Sequence, residues 1–264
     1  MNKILYLLTV WLIWSSTTYS QTLPYLPEPT FKEGEKLNYK VRYGIISGAE
    51  ARLSVNKSKY KFSTDNTYHL SAFGQTAGAI SAFFTVRNQY DSYIDGKTFL
   101  PYLYTENIRE GGYRRIEYAS FDHRNKTVNG KKGKFTSPAN QTFDLLSSYY
   151  FARNLDLSKL KVDDVFTITY FLNDEVAQLG VKYVGTEKIK TSLGTLDCIK
   201  LSPEIKPGRI FKKDSRLYLW VTNDGNRIPV KAEAEISIGG SIVIELVKAE
   251  GLKYPLGQRV SYSK

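Results

Sequence analysis

From Leu37 onward the chain alternates apolar and polar positions with a period of two. Leu37, Tyr39, Val41 and Tyr43 are separated by Asn38, Lys40 and Arg42, which is the pattern of a half-buried strand. Ala51, Leu53 and Val55 alternate with Arg52 and Ser54, and Tyr68, Leu70 and Ala72 carry the pattern on. Longer strand candidates follow at 83–95, 102–109 and 113–121. Gly111-Gly112 between the last two, and Asn129-Gly130 further on, are hairpin-turn signals. Strands resume at 165–171, 181–187, 195–201 and 217–221. The cleanest alternation is Val230, Ala232, Ala234, Ile236 and Ile238 against Lys231, Glu233, Glu235 and Ser237. Gly239-Gly240 then turns into a last strand over 241–252.

Two stretches break the alternation. Residues 75–82 are rich in small side chains and suit one or two helical turns. Residues 142–155 place Phe143, Leu146 and Tyr150 at helical spacing, with Thr142 as N-cap, Asp144 in the first turn and Arg153 near the C-terminal pole. Many strands at short spacing around one helix predict an all-β, mainly antiparallel fold. The expected form is a curved, partly closed barrel or a sandwich with one helix packed on the concave side.

The chain begins with a different pattern. Asn2 and Lys3 precede an apolar run from Ile4 to Trp14 and a small polar stretch from Ser15 to Ser20. A basic start, a short apolar core and a small-residue end are the parts of a secretory signal peptide. The run is shorter than the roughly 20 residues a membrane span needs. The expected division is a signal peptide over 1–20, an extended Pro-rich arm over 21–36, and a single β domain over 37–264. Cleavage near Ser20 would release a periplasmic protein with no remaining membrane span. No cysteine follows the apolar run, so a lipoprotein anchor is not expected.

Composition adds three points. The one cysteine, Cys198, excludes an internal disulfide and sits in an apolar stretch, as a small buried hydrophobe does. The formal net charge of +11 suits anionic partners, although scattered charge of this kind also serves solubility alone. No basic block stands out, which argues against nucleic-acid binding.

Four landmarks carry a family resemblance. They are Phe31, Gly34-Glu35, Leu37, Tyr39 and Gly48; Tyr90-Asp91-Ser92-Tyr93-Ile94-Asp95 followed by Pro101; the segment from Asp144 to Arg153; and Leu219 to Asp224 leading into Arg227-Ile228-Pro229-Val230. In this order they resemble the exported bacterial family known as domain of unknown function 3108. The resemblance implies an envelope protein and leaves the activity open. The layout is also similar to the half-open barrels of periplasmic lipoprotein carriers, an architectural analogy that does not fix function.

Catalytic chemistry finds little support. His69 and His123 are the two histidines, and neither belongs to a metal-ligand spacing. Asn223-Asp224-Gly225-Asn226 offers oxygen ligands but reads better as a hairpin turn. There is no Gly-x-Ser-x-Gly elbow, and Ser147-Ser148 have no base beside them in sequence. Asp163-Asp164, Asp174-Glu175 and the pair Glu233 and Glu235 are the acid clusters available to a glycan hydrolase, and they read as loop and solvated-face charges. No catalytic residue, metal or cofactor is assigned.

The aromatic content, 14%, is the stronger signal. Tyr43, Tyr90, Tyr150, Tyr218 and Trp220 either line an apolar cavity or form an ordinary β core. Tyr218 and Trp220 stand out because Leu217, Leu219 and Val221 fill the other face of the same strand, so that strand is covered on both sides or faces a cavity. Arg42, Arg87 and Arg227 lie beside these aromatics as a possible charged rim. The expected function is a non-enzymatic, exported binding or carrier protein for an apolar or amphipathic envelope molecule, a lipid or glycolipid. The alternatives are an envelope-assembly scaffold without a small ligand and an envelope glycan hydrolase.

Overall fold

The alternating segments form one antiparallel sheet. Its first eight strands are β1 (Lys36–Tyr43), β2 (Ile46–Lys57), β3 (Thr67–Thr76), β4 (Arg87–Asp95), β5 (Pro101–Glu110), β6 (Tyr113–Asp122), β7 (Thr127–Gly130) and β8 (Gly133–Thr136). The rest are β9 (Val165–Leu172), β10 (Glu175–Thr191), β11 (Gly194–Pro203), β12 (Leu217–Thr222), β13 (Pro229–Glu235) and β14 (Ser241–Glu250). The structure, a computed structural model, describes residues 23–64, 66–78, 80–204, 215–235 and 240–260. The apolar run 4–14, the cleavage site expected near Ser20 and residues 236–239 lie outside them.

The order across the sheet is β8-β7-β6-β5-β4-β3-β2-β1-β14-β13-β12-β11-β10-β9. Every strand pairs with its sequence neighbour except across the β8–β9 gap, and β1 joins the two halves by pairing with β14. Leu37 faces Leu53, Leu53 faces Ala72, and Ala72 faces Tyr90, so one apolar row crosses four strands. A one-residue slip would turn that row to solvent, which is how the alternation fixes the register.

The sheet is curled. Register shifts at Asn38/Tyr39, Val41/Arg42, Tyr183/Gly185 and Trp220/Val221 are places where an extra residue bends a strand. Val55, Leu70 and Ile94 from one half meet Phe166, Val181, Ile199 and Val221 from the other in a single core. That core surrounds the helix α2 (Leu145–Arg153), whose Leu146, Tyr150 and Phe151 are buried in it. The two sheet ends approach without a ladder. Phe171 of β9 packs against Phe121 and Phe135, Lys132 N donates to Asp174 Oδ1 (3.2 Å), and Arg115 Nη1 donates to Asn173 Oδ1 (3.1 Å). The barrel is therefore open by one seam.

Local corrections have local causes. The helix is shorter than expected, and its cap is Asp144 rather than Thr142. The Asp144 carboxylate accepts from the amides of Leu146 (2.8 Å) and Ser147 (2.9 Å), while Ser147 Oγ accepts from Asp144 N. This reciprocal box satisfies donors that a helix start leaves open. Thr142 instead donates to Ser137 in the preceding loop (2.5 Å). Residues 83–86 are not strand, because a one-turn helix α1 (Ile80–Phe83) precedes β4. The β7–β8 turn falls at Lys131-Lys132, since Gly130 already pairs with Gly133. The Pro-rich arm is docked from Leu23 onward: Leu23, Leu26 and Phe31 are buried, and Leu26 N donates to Asn154 O (2.8 Å).

Candidate functional site

One end of the curled sheet is filled. Here the helix, the segment carrying Phe31 and Glu35, and the β12–β13 turn converge on a buried ion pair. Arg153 donates to both oxygens of Glu35 (2.6 and 2.8 Å) and, through Nε and Nη2, to Asn226 O (3.2 and 2.9 Å). Both side chains are almost fully buried. Burial works against the guanidinium's charge, but Glu35 beside it outweighs that, so its pKa rises. The rings of Phe31, Tyr149 and Tyr150 lie 5.1 to 5.7 Å from the Arg153 guanidinium carbon. Tyr39 donates to Pro229 O (3.0 Å). The Tyr149 and Tyr150 hydroxyls are buried without a hydrogen bond of good geometry among the described residues. This end is a lock between helix, arm and sheet.

The other end is different. Strand alternation brings the β1–β2, β3–β4 and β5–β6 turns together at the rim opposite the helix. Along each strand the inward apolar side chains gain exposure toward that rim. In β1, Leu37 and Tyr39 are buried and Val41 is half-buried. In β2 and β3, Val55 and Leu70 are buried, while Ala51, Ala49, Ala72 and Gly74 are half-buried. Ile94 gives way to Tyr90 in β4, Val221 to Leu219 and Leu217 in β12, and Leu246 to Ile244 and Ile242 in β14. Leu219, Ala232, Ile244 and Val41 stand in direct register, so the two halves form one continuous wall. Ala49, Ala51, Ala72, Gly74 and Ala232 are the small residues of this face, and all are half-buried. The result is a concave apolar wall, closed below by the helix and reached from the rim.

One charged cluster interrupts the wall. Glu106 faces Tyr90 across β4–β5 and Glu117 across β5–β6, so both carboxylates lie on the concave side. Glu106 is buried, accepts from Tyr104 Oη (3.1 Å) and is bonded by Arg115 Nη2. Arg115 Nε stands 4.0 Å from Glu117. Burial and then the nearby Glu106 push the Tyr90 and Tyr104 phenols up. Apolar walls with a few convergent polar groups are the usual make-up of small-molecule sites. The sequence carried one signal for this cluster: Glu106 sits between Tyr104 and Ile108 on the apolar side of its strand.

The eight residues singled out from sequence fall in separate places. Tyr90 is in the wall. Tyr150 is in the core beneath it. Trp220 packs on the opposite face of β12 from Leu219 and Val221, in a second cluster with Leu196, Cys198 and Val230, so apolar side chains cover both faces at Trp220 and Val221 while Leu219 opens on the wall. Its indole donates to Glu187, and Lys200 lies 4.5 and 4.7 Å from the Tyr218 and Trp220 ring centroids. Arg42 pairs with Glu245 (3.0 Å) near the exposed Tyr43. Arg87 lies over the Phe73 ring on the outer face. Arg227 sits at the helix end and donates to Leu155 O. The three arginines do not converge.

Other chemistries find no assembled site among the described residues. No group of three metal-ligating side chains occurs. Asp224 is saturated by Thr222, the amides of Asn226 and Arg227, and Gly257 N, which makes its loop a closed turn. His69 is paired with Asp91 (2.7 Å), and His123 meets Pro101 O (2.7 Å). Cys198 is fully buried, and desolvation pushes its thiol up to about 12. A nucleophilic thiol needs the reverse.

An open, barrel-like antiparallel sheet holding one helix is the class that this geometry defines. A β-barrel-like protein of domain of unknown function DUF1849 from Brucella abortus superposes with a TM-score of 0.53 at 10% identity, over 83% of this chain and 98% of that one. Residues 38–247 match the family described as protein of unknown function DUF3108, and the chain belongs to that family. A Bacteroides fragilis protein of YmcC-like fold, described as a candidate exported protein, gives a TM-score of 0.39 at 12% identity, over 87% of this chain and 100% of that one. A candidate lipoprotein from Parabacteroides distasonis gives 0.37 at 11% identity, over 87% and 100%. No curated protein matches the sequence. Among the described residues no helix is long and apolar enough to cross a membrane.

Proposed function

We propose that this is a non-enzymatic, exported binding or carrier protein for an amphipathic envelope molecule, a lipid or glycolipid. The observation that carries the reading is the exposure gradient along the concave wall. Apolar side chains that face inward and yet touch solvent are costly, about 25 cal/mol for each Å² left wet. An apolar ligand body against Leu53, Ala72, Leu219 and Ile244 would cover them. Arg115 and the Tyr90 and Tyr104 phenols would receive a polar head. The basic leader-like start and the aromatic inventory agree with a periplasmic setting. Glycan hydrolysis is less well supported, because Arg115 stands between Glu106 and Glu117 and holds the first of them in an ion pair.

Native mass spectrometry of the gently purified full chain tests the reading. We expect a co-purifying lipid or glycolipid mass that is lost on denaturation. Ala72→Trp, which fills the wall, should abolish that mass while leaving the fold intact by circular dichroism. A bare wild-type protein that also fails to take up lipid from micelles would refute the proposal.

A further inference from the structure

A second feature lies on the outer face of the same rim. Arg109 stands directly opposite Arg114 across β5–β6. Between the Val86–Glu110 bridge and the Gln89–Asn107 pair, Arg87 falls beside Arg109. Three arginines therefore form one cross-strand row, all exposed. Like charges directly opposite one another destabilise a sheet. None of the three pairs with a carboxylate among the described residues. Arg114 Nη1 instead donates to the carbonyls of Gly111 (2.8 Å) and Tyr113 (2.9 Å), and Arg109 Nε only meets Asn107 Oδ1 (3.4 Å). Asp91, two rows toward the helix end on this face, is already held by His69 and Gln89.

The row is capped by apolar tips. Phe83 is 90% exposed and Phe84 51%, and with the arginines they border a cavity of about 450 Å³. Phe84 packs against Gly111 at the β5–β6 turn, which ties the two loops together. Ile45, on the β1–β2 turn at the same rim, is fully exposed. Ile116 and Tyr118 continue the exposed apolar surface below the arginines. Large apolar side chains at loop tips, backed by unpaired guanidinium groups, match the two layers of an anionic bilayer surface. Phosphates meet the forked donors, and the rings reach past them.

We propose that this rim docks on an anionic phospholipid bilayer, with Phe83, Phe84 and Ile45 entering the interface and Arg87, Arg109 and Arg114 binding phosphates. The site is separate from the concave wall and stands whether or not that wall holds a ligand.

Vesicle co-sedimentation of the full chain tests it, using phosphatidylcholine vesicles with and without about a third phosphatidylglycerol. Binding should need the anionic lipid and weaken as salt is raised. Each juxtamembrane arginine is worth about fivefold in affinity, so Arg87→Gln with Arg109→Gln and Arg114→Gln should lose roughly a hundredfold. Phe83→Ser with Phe84→Ser, at side chains already in solvent, should also weaken binding and serves if the triple variant misfolds. Ala72→Trp should leave vesicle binding unchanged even where it abolishes ligand uptake. Equal binding to both vesicle types, no binding by folded protein, or folded variants that bind like wild type would each overturn the proposal.

Discussion

Arg153 is the residue on which most of the closed end depends. Its guanidinium links the helix to Glu35, 118 residues away in sequence, and to the β12–β13 turn through Asn226 O. Removing one partner would strand the other as a buried charge, which typically costs about 3–5 kcal/mol. We expect Glu35→Gln and Arg153→Met each to lower stability by about that amount in urea melts, and Glu35→Leu with Arg153→Met to cost well under their sum. Tyr150→Phe is the contrasting case. Its ring is fully buried, but its hydroxyl has no hydrogen-bond partner among the described residues, so the same melts should show a change within about 1 kcal/mol. The sequence places Arg153 at the C-terminal pole of a helix and no further. Glu35 enters only as part of the Gly34-Glu35 landmark, because nothing local marks a partner that only the folded sheet supplies.

At the scale of elements, the helix start sets a pH dependence. Burial raises the Asp144 carboxyl to about 6, and the hydrogen bonds from Ser92, Ser147 and Leu146 only partly offset it. An unfolded aspartate titrates near about 3.9. Between these values the folded state holds more proton than the unfolded one, so stability falls as pH rises from about 4 to about 6 and then levels off. Asp144→Asn keeps a capping side chain and removes the titration. Denaturation series at stepped pH should show the wild type losing up to about 3 kcal/mol relative to the variant across that window. The strands themselves were legible, because period-two alternation is a local property; for β12 the sequence left open whether it is covered on both sides or faces a cavity, and the structure packs Trp220 on one face while Leu217 and Leu219 on the other stay half-buried. The cap was not. Thr142 and Asp144 are both good N-cap residues, and the choice between them rests on Ser147 completing the box and on Ser92 reaching Asp144 from β4 (2.5 Å). Glycine contacts are similarly invisible: Gly251 adopts a φ of +65°, and a Cβ there would lie 2.2 Å from Gly34 O.

For the whole molecule, the sequence set the class of fold but left barrel and sandwich undecided, since curl and seam come from bulges and from contacts between distant strands. The concave wall was only half legible. Tyr90 was visible, but the alanines and Gly74 near it have no signature until register places them on one face in adjacent rows. The seam gives a testable order of opening. β8 and β9 each have one partner strand; they meet each other through side chains and turns, and among the described residues the free edge of β9 holds a single backbone bridge, from Phe143 to Tyr170. Hydrogen exchange read by mass spectrometry should show their amides losing protection first, and β1 and β14 last. That central pairing also sets a clock. Lys36 pairs with Glu250, so the earliest strand cannot find its second neighbour until some two hundred residues after it have been made. At usual elongation speeds the wait is roughly 10 to 40 seconds. Throughout it the nascent β1 keeps a bare edge, and the first half of the sheet stays unfinished until the last strand arrives.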